Sequence, residues 1–407
     1  MDFEVRPVRD DEIEEFVYIN AYAFDRDRGP AAIEEAVALE RKWYRPESRL
    51  AVFVDGRMAA RMHLLPFKMY LNGGAVRTGG IGGVGVLPEY RRRGLTAALL
   101  QRGLNDMCES GQVISALYPL HYELYRRYGW EIVSASVRYS FSPKDVHVTR
   151  PAPGECRRVT ADEWASLDAV YREYAAHHNG SLERDEFWWR EAVFGSTRDS
   201  RDVAVWETGG QIKGYVAYGT RSFSLPERFM PASTLWVREL VALDGDSYAG
   251  LVGYLLHHDL QERIEWASSS EEPLLHVLND PSKVKTEIGW PQMALRLVDV
   301  PRALEARPCL PAADGARLTI AVQDVVAGWN DGAWRLEVTG GRLRAGPATS
   351  VPDLTVEVGT LAALYAGRLS VREAARAGLL EARSERVLER AGDVFAVASS
   401  FRCLDWF

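Results

Sequence analysis

The alternation of apolar and polar positions divides the chain into three stretches, two of which share one grammar. Asp10-Asp11-Glu12 precede Ile13, Phe16, Val17 and Phe24, whose spacing largely follows one helical face, so the first element is an acid-capped helix. Leu50 to Val54 reads as a strand, Asp55-Gly56 as a hairpin turn, and Arg57 to Leu71 as a second strand ending at Asn72-Gly73-Gly74. A third strand runs from Ala75 into Ile81-Gly82-Gly83-Val84-Gly85-Val86. After Pro88 and a run of arginines, Leu95, Ala98, Leu99 and Leu104 mark a helix. A short strand from Val113 to Leu117, a short helix around Tyr125 and a strand from Glu131 to Phe141 follow. This order predicts a mixed α/β domain over residues 1–150.

Pro151-Ala152-Pro153-Gly154 marks a boundary. Residues 151–290 then repeat the pattern. A helix carries Trp164, Leu167 and Tyr171. Strands around Val203–Val205 and Gly214–Val216 flank Gly209-Gly210, and a strand from Leu235 to Val241 feeds a helix near Ser247. The stretch reads as a diverged internal duplicate. Residues 291–407 differ: Leu318–Val322, Trp334–Val338, Leu343-Arg344 and Leu354–Val358 alternate between glycine turns, and helices follow over 360–366 and 371–380. The fold class is therefore α/β (α+β), with two tandem mixed domains and a smaller α+β domain.

Composition narrows the class. The 407 residues are 47% apolar and 26% charged, as in a soluble globular protein. No run approaches the roughly 18 apolar residues of a membrane span. Met1-Asp2-Phe3-Glu4-Val5-Arg6 lacks the basic start and apolar stretch of a signal peptide. Cys108, Cys156, Cys309 and Cys403 have no C-x-x-C spacing and imply neither a zinc knuckle nor a disulfide framework, so the expected compartment is a reducing cytoplasm. The net charge of −8 disfavours nucleic acid as a partner. Within that total, residues 1–40 hold 12 acidic and 4 basic side chains, and residues 41–150 hold 8 acidic and 17 basic. One basic region in an acidic chain points to an anionic ligand, and the acidic start to a cationic one. Two differently charged solvated faces are the alternative.

The basic region contains Val84-Gly85-Val86-Leu87-Pro88-Glu89-Tyr90-Arg91-Arg92-Arg93-Gly94-Leu95-Thr96. A strand ends, the chain turns, and a helix starts at a glycine flanked by arginines. The unpaired N–H groups of a helix start suit a pyrophosphate. Gly94 admits it close to the backbone, and the arginines neutralise its charge. A glycine-broken strand can splay from its neighbour, leaving an edge with which an amide-bearing pantetheine arm can pair.

At these residues the sequence resembles the GNAT acetyltransferase superfamily, whose phosphate motif is Gln/Arg-x-x-Gly-x-Gly/Ala. Arg91-x-x-Gly94-x-Thr96 matches it except at Thr96. The three-domain layout, with a third domain like a sterol-carrier protein and an aromatic end, is similar to the enhanced intracellular survival (Eis) family. The resemblance implies acetyl-CoA as cosubstrate, direct transfer without a metal, and a homo-hexamer. It also implies a cationic amine acceptor, aminoglycoside- or polyamine-like. Val84, Gly85 and Val86 would hold the pantetheine, Arg91, Arg92, Arg93, Gly94, Leu95, Thr96 and Ala97 the pyrophosphate, and Leu120-His121 would complete the site. The family often carries a serine near Leu120, a departure here. The equivalent turn of the second domain, Val241-Ala242-Leu243-Asp244-Gly245-Asp246-Ser247, has aspartates where arginines are needed, so that copy should bind no CoA.

Acetyl transfer to an amine requires loss of an amine proton, a polarised carbonyl and protonation of the leaving thiolate. GNAT enzymes commonly carry their general acid at the start of a Tyr-x-x-x-Gly segment, which here implies Tyr125, with Tyr128 packing. No histidine among His63, His121, His177 and His178 stands out as the base. The Eis resemblance implies the α-carboxylate of Phe407 instead, and Phe401–Phe407 is apolar and aromatic, unlike a frayed tail. Phe24 and Asp25 follow the first helix, in the stretch that borders the amine site in this fold. Asp25 and Asp405 can attract an ammonium group, a solvated surface role being the alternative for each. Trp290 is expected to line the cleft, and Trp188 and Trp189 to lie in the core. A non-catalytic acyl-CoA or lipid-binding carrier is the competing function.

Overall fold

Two tight hairpins build the first sheet. Asp55-Gly56 (φ 48° and 77°) and Asn72-Gly73 (φ 47° and 80°) place two consecutive residues in the left-handed region, the requirement of the turn that matches strand twist. They join β2 (Arg49–Val54) to β3 (Arg57–Leu71) and β3 to β4 (Gly74–Val86), with β1 (Phe3–Pro7) antiparallel to β2. The computed structural model describes residues 2–134, 136–195, 201–223, 232–289 and 292–407. It divides into two units: residues 1–133, 293–397 and 407 form one, residues 134–292 and 398–406 the other.

In the first unit the sheet order is β1-β2-β3-β4-β5-β14-β6, with β5 at Ile114–Leu117, β6 at Glu131–Ile132 and β14 at Ala294–Leu297. All six residues of β2 are buried, since both faces of the sheet are covered. On one face lie α1 (Ile13–Ala23) and α2 (Pro30–Trp43). On the other, α3 (Leu95–Glu109) buries Leu95, Leu99, Leu100, Leu104 and Met107 against Val52, Ala60, Met62, Leu64 and Ile81. A short helix, α4 (Tyr122–Arg126), follows β5. The remaining part of this unit is a five-stranded sheet in the order β17-β16-β15-β18-β19: Arg342–Pro347, Gly332–Thr339, Arg317–Gln323, Leu354–Glu357 and Leu380–Ala382. It carries α9 (Val300–Ala306), α10 (Val358–Tyr365), α11 (Val371–Arg376) and α12 (Glu385–Phe395).

The second unit holds the order β13-β7-β12-β11-β10-β9-β8. In chain order these strands are β7 (Ser136–Phe141), β8 (Glu155–Val159), β9 (Asp202–Thr208), β10 (Gln211–Phe223), β11 (Ala232–Ala242), β12 (Arg263–Ser269) and β13 (Lys285–Gly289). Its helices are α5 (Trp164–Ala175), α6 (Glu186–Trp188), α7 (Gly245–Leu256) and α8 (Leu274–Val277). As in the seven-stranded sheet of the first unit, one parallel pair (β11 with β12) sits among antiparallel ones.

The units cut across the boundaries expected at 150 and 290. The strand read from Glu131 to Phe141 is two strands. Glu131–Ile132 pairs with β14, while Ser136–Phe141 pairs with β12 and β13 of the second unit. β14 in turn inserts between β5 and β6. Each unit thus takes an inner strand of its seven-stranded sheet from sequence assigned to a neighbour, and local periodicity carries no sign of such an exchange.

Candidate functional site in the first unit

The site is built on a break in β4. On one side β4 pairs with β3 along its whole length; on the other it runs parallel to β5 only from Thr78 to Ile81, opposite Ile114 to Leu117. Beyond Ile81 and Leu117 the two strands part, and the edge from Gly82 to Val86 is unpaired on that side. The pairing with β3 also shifts register there: His63 faces Gly82 but Arg61 faces Gly85, so Met62 opposes both Gly83 and Val84. This is a β-bulge, and Gly83 (φ 54°) occupies its left-handed position.

The bulge has a second consequence. In a regular strand Gly82 and Gly83 would face opposite sides. Here a Cβ on Gly80 would meet Phe67, one on Gly82 would meet Leu65 and His63, and one on Gly83 would meet Arg61. Residues 61, 63, 65 and 67 of β3 alternate and share one face. The inserted residue resets the alternation, so Gly80, Gly82 and Gly83 leave a side-chain-free track along a single face. Phe407 lies on that track. Its ring packs on Phe67 (centroids 4.8 Å apart) and Tyr118 (5.6 Å), and its carboxyl carbon is 3.7 Å from the Cβ position of Gly82. At Gly80 a Cβ would stand 2.4 Å from Phe67 and 3.0 Å from Phe407, so glycine is required for both rings to seat.

At the end of β4 the chain makes a short turn at Pro88–Tyr90 and passes Arg92 (φ 61°) and Gly94 (φ 81°) before α3. Gly94 is the N-cap of α3, no side chain caps it, and the first turn carries no acidic residue. Arg91, Arg92 and Arg93 are exposed beside it, Arg91 donating through Nε to Val86 O at 3.1 Å. An uncapped helix start with three cations is an anion site in waiting. The matching helix of the second unit is closed. Asp244 caps α7 by accepting from Ser247 N at 2.8 Å, and Asp246 pairs with Arg150.

Tyr125 lies in α4, after the strand that parts from β4. It is 9% exposed, packs edge-on against Trp130, and its hydroxyl bonds to no protein group among the described residues. Burial pushes its pKa up to about 12, so the phenol keeps its proton at neutral pH. Gly129 (φ 81°), the last residue of the Tyr-x-x-x-Gly segment, is dictated by a close approach. Arg296 of β14 donates to Tyr128 O, and a Cβ on Gly129 would collide with its guanidinium. Arg296 is fixed in turn by two bonds to Asp324, at 2.6 and 2.8 Å. Leu120 (59% exposed) and His121, the N-cap of α4, lie in the loop between β5 and Tyr125.

Of the expected amine-side residues, Phe24 and Asp25 end α1. Asp25 (φ 49°) sits in the left-handed position of a helix stop, with Arg26 N bonded to Ala21 O, and its carboxylate is exposed. Trp290 lies outside the described residues. The expectation for Asp405 is corrected. Its carboxylate is 1% exposed in the second unit, accepting from Arg184 Nε at 3.0 Å and from the Trp188 indole, so its charge is already spent. Arg184 also holds Glu239 through two bonds, at 2.7 and 2.8 Å. His63, which did not stand out as the base from sequence, is buried in a charged cluster with Glu40, Arg49 and Arg61. The sequence reading missed this cluster because α2, which supplies Glu40, went unrecognised.

Among the described residues no helix is long and apolar enough to cross a membrane, and no cluster of three or more metal-ligating side chains occurs.

Comparison with known families places an acetyltransferase (GNAT) domain at residues 4–133, a second at 180–297 and a sterol carrier protein domain at 300–402. An uncharacterized N-acetyltransferase of Streptomyces griseus is 29% identical over 379 residues, covering 87% of this chain and 88% of its own. The N-acetyltransferase Eis of Mycobacterium bovis is 25% identical over 360 residues, covering 85% and 82%. The crystal structure of Eis1 from Mycobacterium abscessus superposes over the full length of both chains with a TM-score of 0.82 at 27% identity.

Proposed function

We propose that this chain, an Eis-like N-acetyltransferase with two GNAT domains and a sterol-carrier-like domain, transfers the acetyl group of acetyl-CoA directly to a cationic amine. The observation that carries the reading is the opening between β4 and β5 with the Phe407 carboxyl docked at Gly82. The residues present fit the cosubstrate. Gly94 and the N–H groups of Leu95, Thr96 and Ala97, flanked by Arg91 to Arg93, would hold the pyrophosphate. The unpaired edge at Val84, Gly85 and Val86 would pair with pantetheine amides, beside the loop at Leu120-His121.

Acetyl-CoA supplies the activated acyl group; the chain supplies proton handling and charge. The Phe407 α-carboxylate takes the proton of the attacking amine, directly or through one water. The N–H groups of the opened β4 edge face the developing oxyanion. Tyr125, protonated and with no acceptor among the described residues, gives its proton to the departing thiolate. Phe24 and the exposed Asp25 border the acceptor and attract its positive charge. A polyamine or aminoglycoside acceptor, a homo-hexameric assembly and a cytoplasmic location belong to the same proposal.

A panel of amines assayed by free-thiol release from acetyl-CoA tests it. Polyamines and aminoglycosides should release thiol in proportion to acetylated amine. Release that ignores added amines, or occurs only with neutral acceptors, would overturn the acceptor class.

A further inference from the structure

The sheet face that carries Phe407 also carries a buried charged cluster with no part in the scheme above. Glu40 of α2 accepts from Arg49 Nε at 2.8 Å and contacts His63 Nε2 at 2.9 Å. His63 Nδ1 lies 2.6 Å from Arg61 Nη2. A guanidinium only donates, so Nδ1 accepts, the imidazole proton is on Nε2, and Nε2 donates to Glu40. His63 is therefore neutral, and burial first, then the neighbouring Arg61, holds its pKa down to about 4.

The charges do not balance. Arg49 matches Glu40, which leaves Arg61, 1% exposed, paired with no carboxylate among the described residues and with its Nε unbonded. Its guanidinium lies 3.6 Å above the Phe16 ring, and Nη2 is 2.8 Å from the Cβ position of Gly83. The Phe407 carboxyl carbon is at the corresponding position of Gly82, on the same face because of the bulge. The buried surplus cation and the terminal carboxylate therefore lie against adjacent residues of β4, whose Cα atoms are about 3.8 Å apart.

We propose that Arg61 is a positioning residue that keeps the Phe407 carboxylate ionised, with the Glu40–His63 chain holding its guanidinium in place. This rests on the terminal carboxylate acting as the base. The Phe407 carboxyl lies on the glycine track at Gly82, a position that Leu65 and the neutral His63 also border; such a seat disfavours the ionised form, and a fixed cation offsets that. The other groups facing the cluster do not supply the charge. Glu40 and Arg49 cancel, Tyr44 is held neutral by burial, His63 is neutral, and Arg26, at the end of α1, is exposed and screened. Tyr118, against the Phe407 ring, brings no cation.

The test is a carbon-13 NMR titration of full-length protein labelled at the phenylalanine carboxyl carbon. Only the terminal phenylalanine can titrate among the 13 in the chain. In Arg61→Met the midpoint should rise by about one pH unit, and Arg61→Lys should return it close to the original value. Should Arg61→Met fail to fold, Arg61→Gln removes the charge while keeping a donor to His63. An unchanged midpoint in a folded charge-removing variant, or an equal rise in Arg61→Lys, would overturn the proposal. The acidic limb of kcat should move up with the midpoint. A midpoint that shifts while kcat does not would keep the coupling to Arg61 and remove the carboxylate as the base.

Discussion

Tyr125 and His63 show how burial sets different roles for two titratable groups of the first unit. Burial raises Tyr125 to about 12, which keeps its phenol protonated over the whole working range. Replacing it with phenylalanine preserves the packing on Trp130 and removes only the proton. Turnover should fall by roughly 10²-fold or more, with acetyl-CoA affinity nearly unchanged. Equal turnover across pH would reduce Tyr125 to a packing residue. His63 titrates in the opposite sense. Its folded pKa of about 4 lies below the ordinary histidine value of 6.5, so the unfolded chain binds the extra proton between those values. Stability is then complete above pH 6.5 and declines as pH falls toward 4, by about 3 kcal/mol from this group alone. Urea unfolding at successive pH values should show this decline, and His63→Gln should show much less of it. An identical slope in the variant would mean that His63 is not the responsible group.

At the scale of elements, two helix starts that occupy equivalent places are chemically opposite. The N-terminus of α3 is open and surrounded by arginines, whereas that of α7 is filled by the Asp244 cap. Giving α3 the character of α7, by Arg92→Ala with Gly94→Glu, should abolish acetyl-CoA binding in calorimetry while far-UV circular dichroism stays native. Unchanged affinity would move the phosphate site elsewhere. Most of these elements were legible in the sequence. The hairpin turns, the glycine-broken strand, the arginine turn and α3 all announce themselves locally, because each needs particular residue types at fixed offsets. What escaped depends on distant partners. α2 was missed because its buried face, Ala32, Ile33 and Glu40, places a carboxylate where periodicity expects an apolar residue. The split at residues 133–136 was missed because strand exchange leaves no local mark. Asp405 looks like a free acid in sequence, and only the fold shows that Arg184 neutralises it.

On the scale of the whole molecule, the second unit keeps the strand order of the first seven-stranded sheet without its open helix start. Its interior instead holds the penultimate stretch of the chain. Ser399 bonds to Asn179, Arg402 to Glu272, and Asp405 to Arg184, deep among Tyr171, Trp188 and Glu239. Arg184→Met would leave Glu239 and Asp405 as two buried carboxylates without a cation, a change that costs about 3–5 kcal/mol. Chemical denaturation should register that loss, and a variant as stable as the parent would contradict the assignment of Arg184 as the hub of the cluster.

The central claim, that the terminal carboxylate is the catalytic base, is met most directly by one measurement on protein whose intact mass confirms that it ends at Phe407. Appending a single glycine retains a carboxylate but moves it by up to about 3.5 Å, beyond the reach of about 3.2 Å, or one bridging water, that proton transfer allows. Amine-dependent thiol release should then fall by roughly 10²-fold or more, while acetyl-CoA binds as before. Full turnover in the glycine-extended protein would contradict the account.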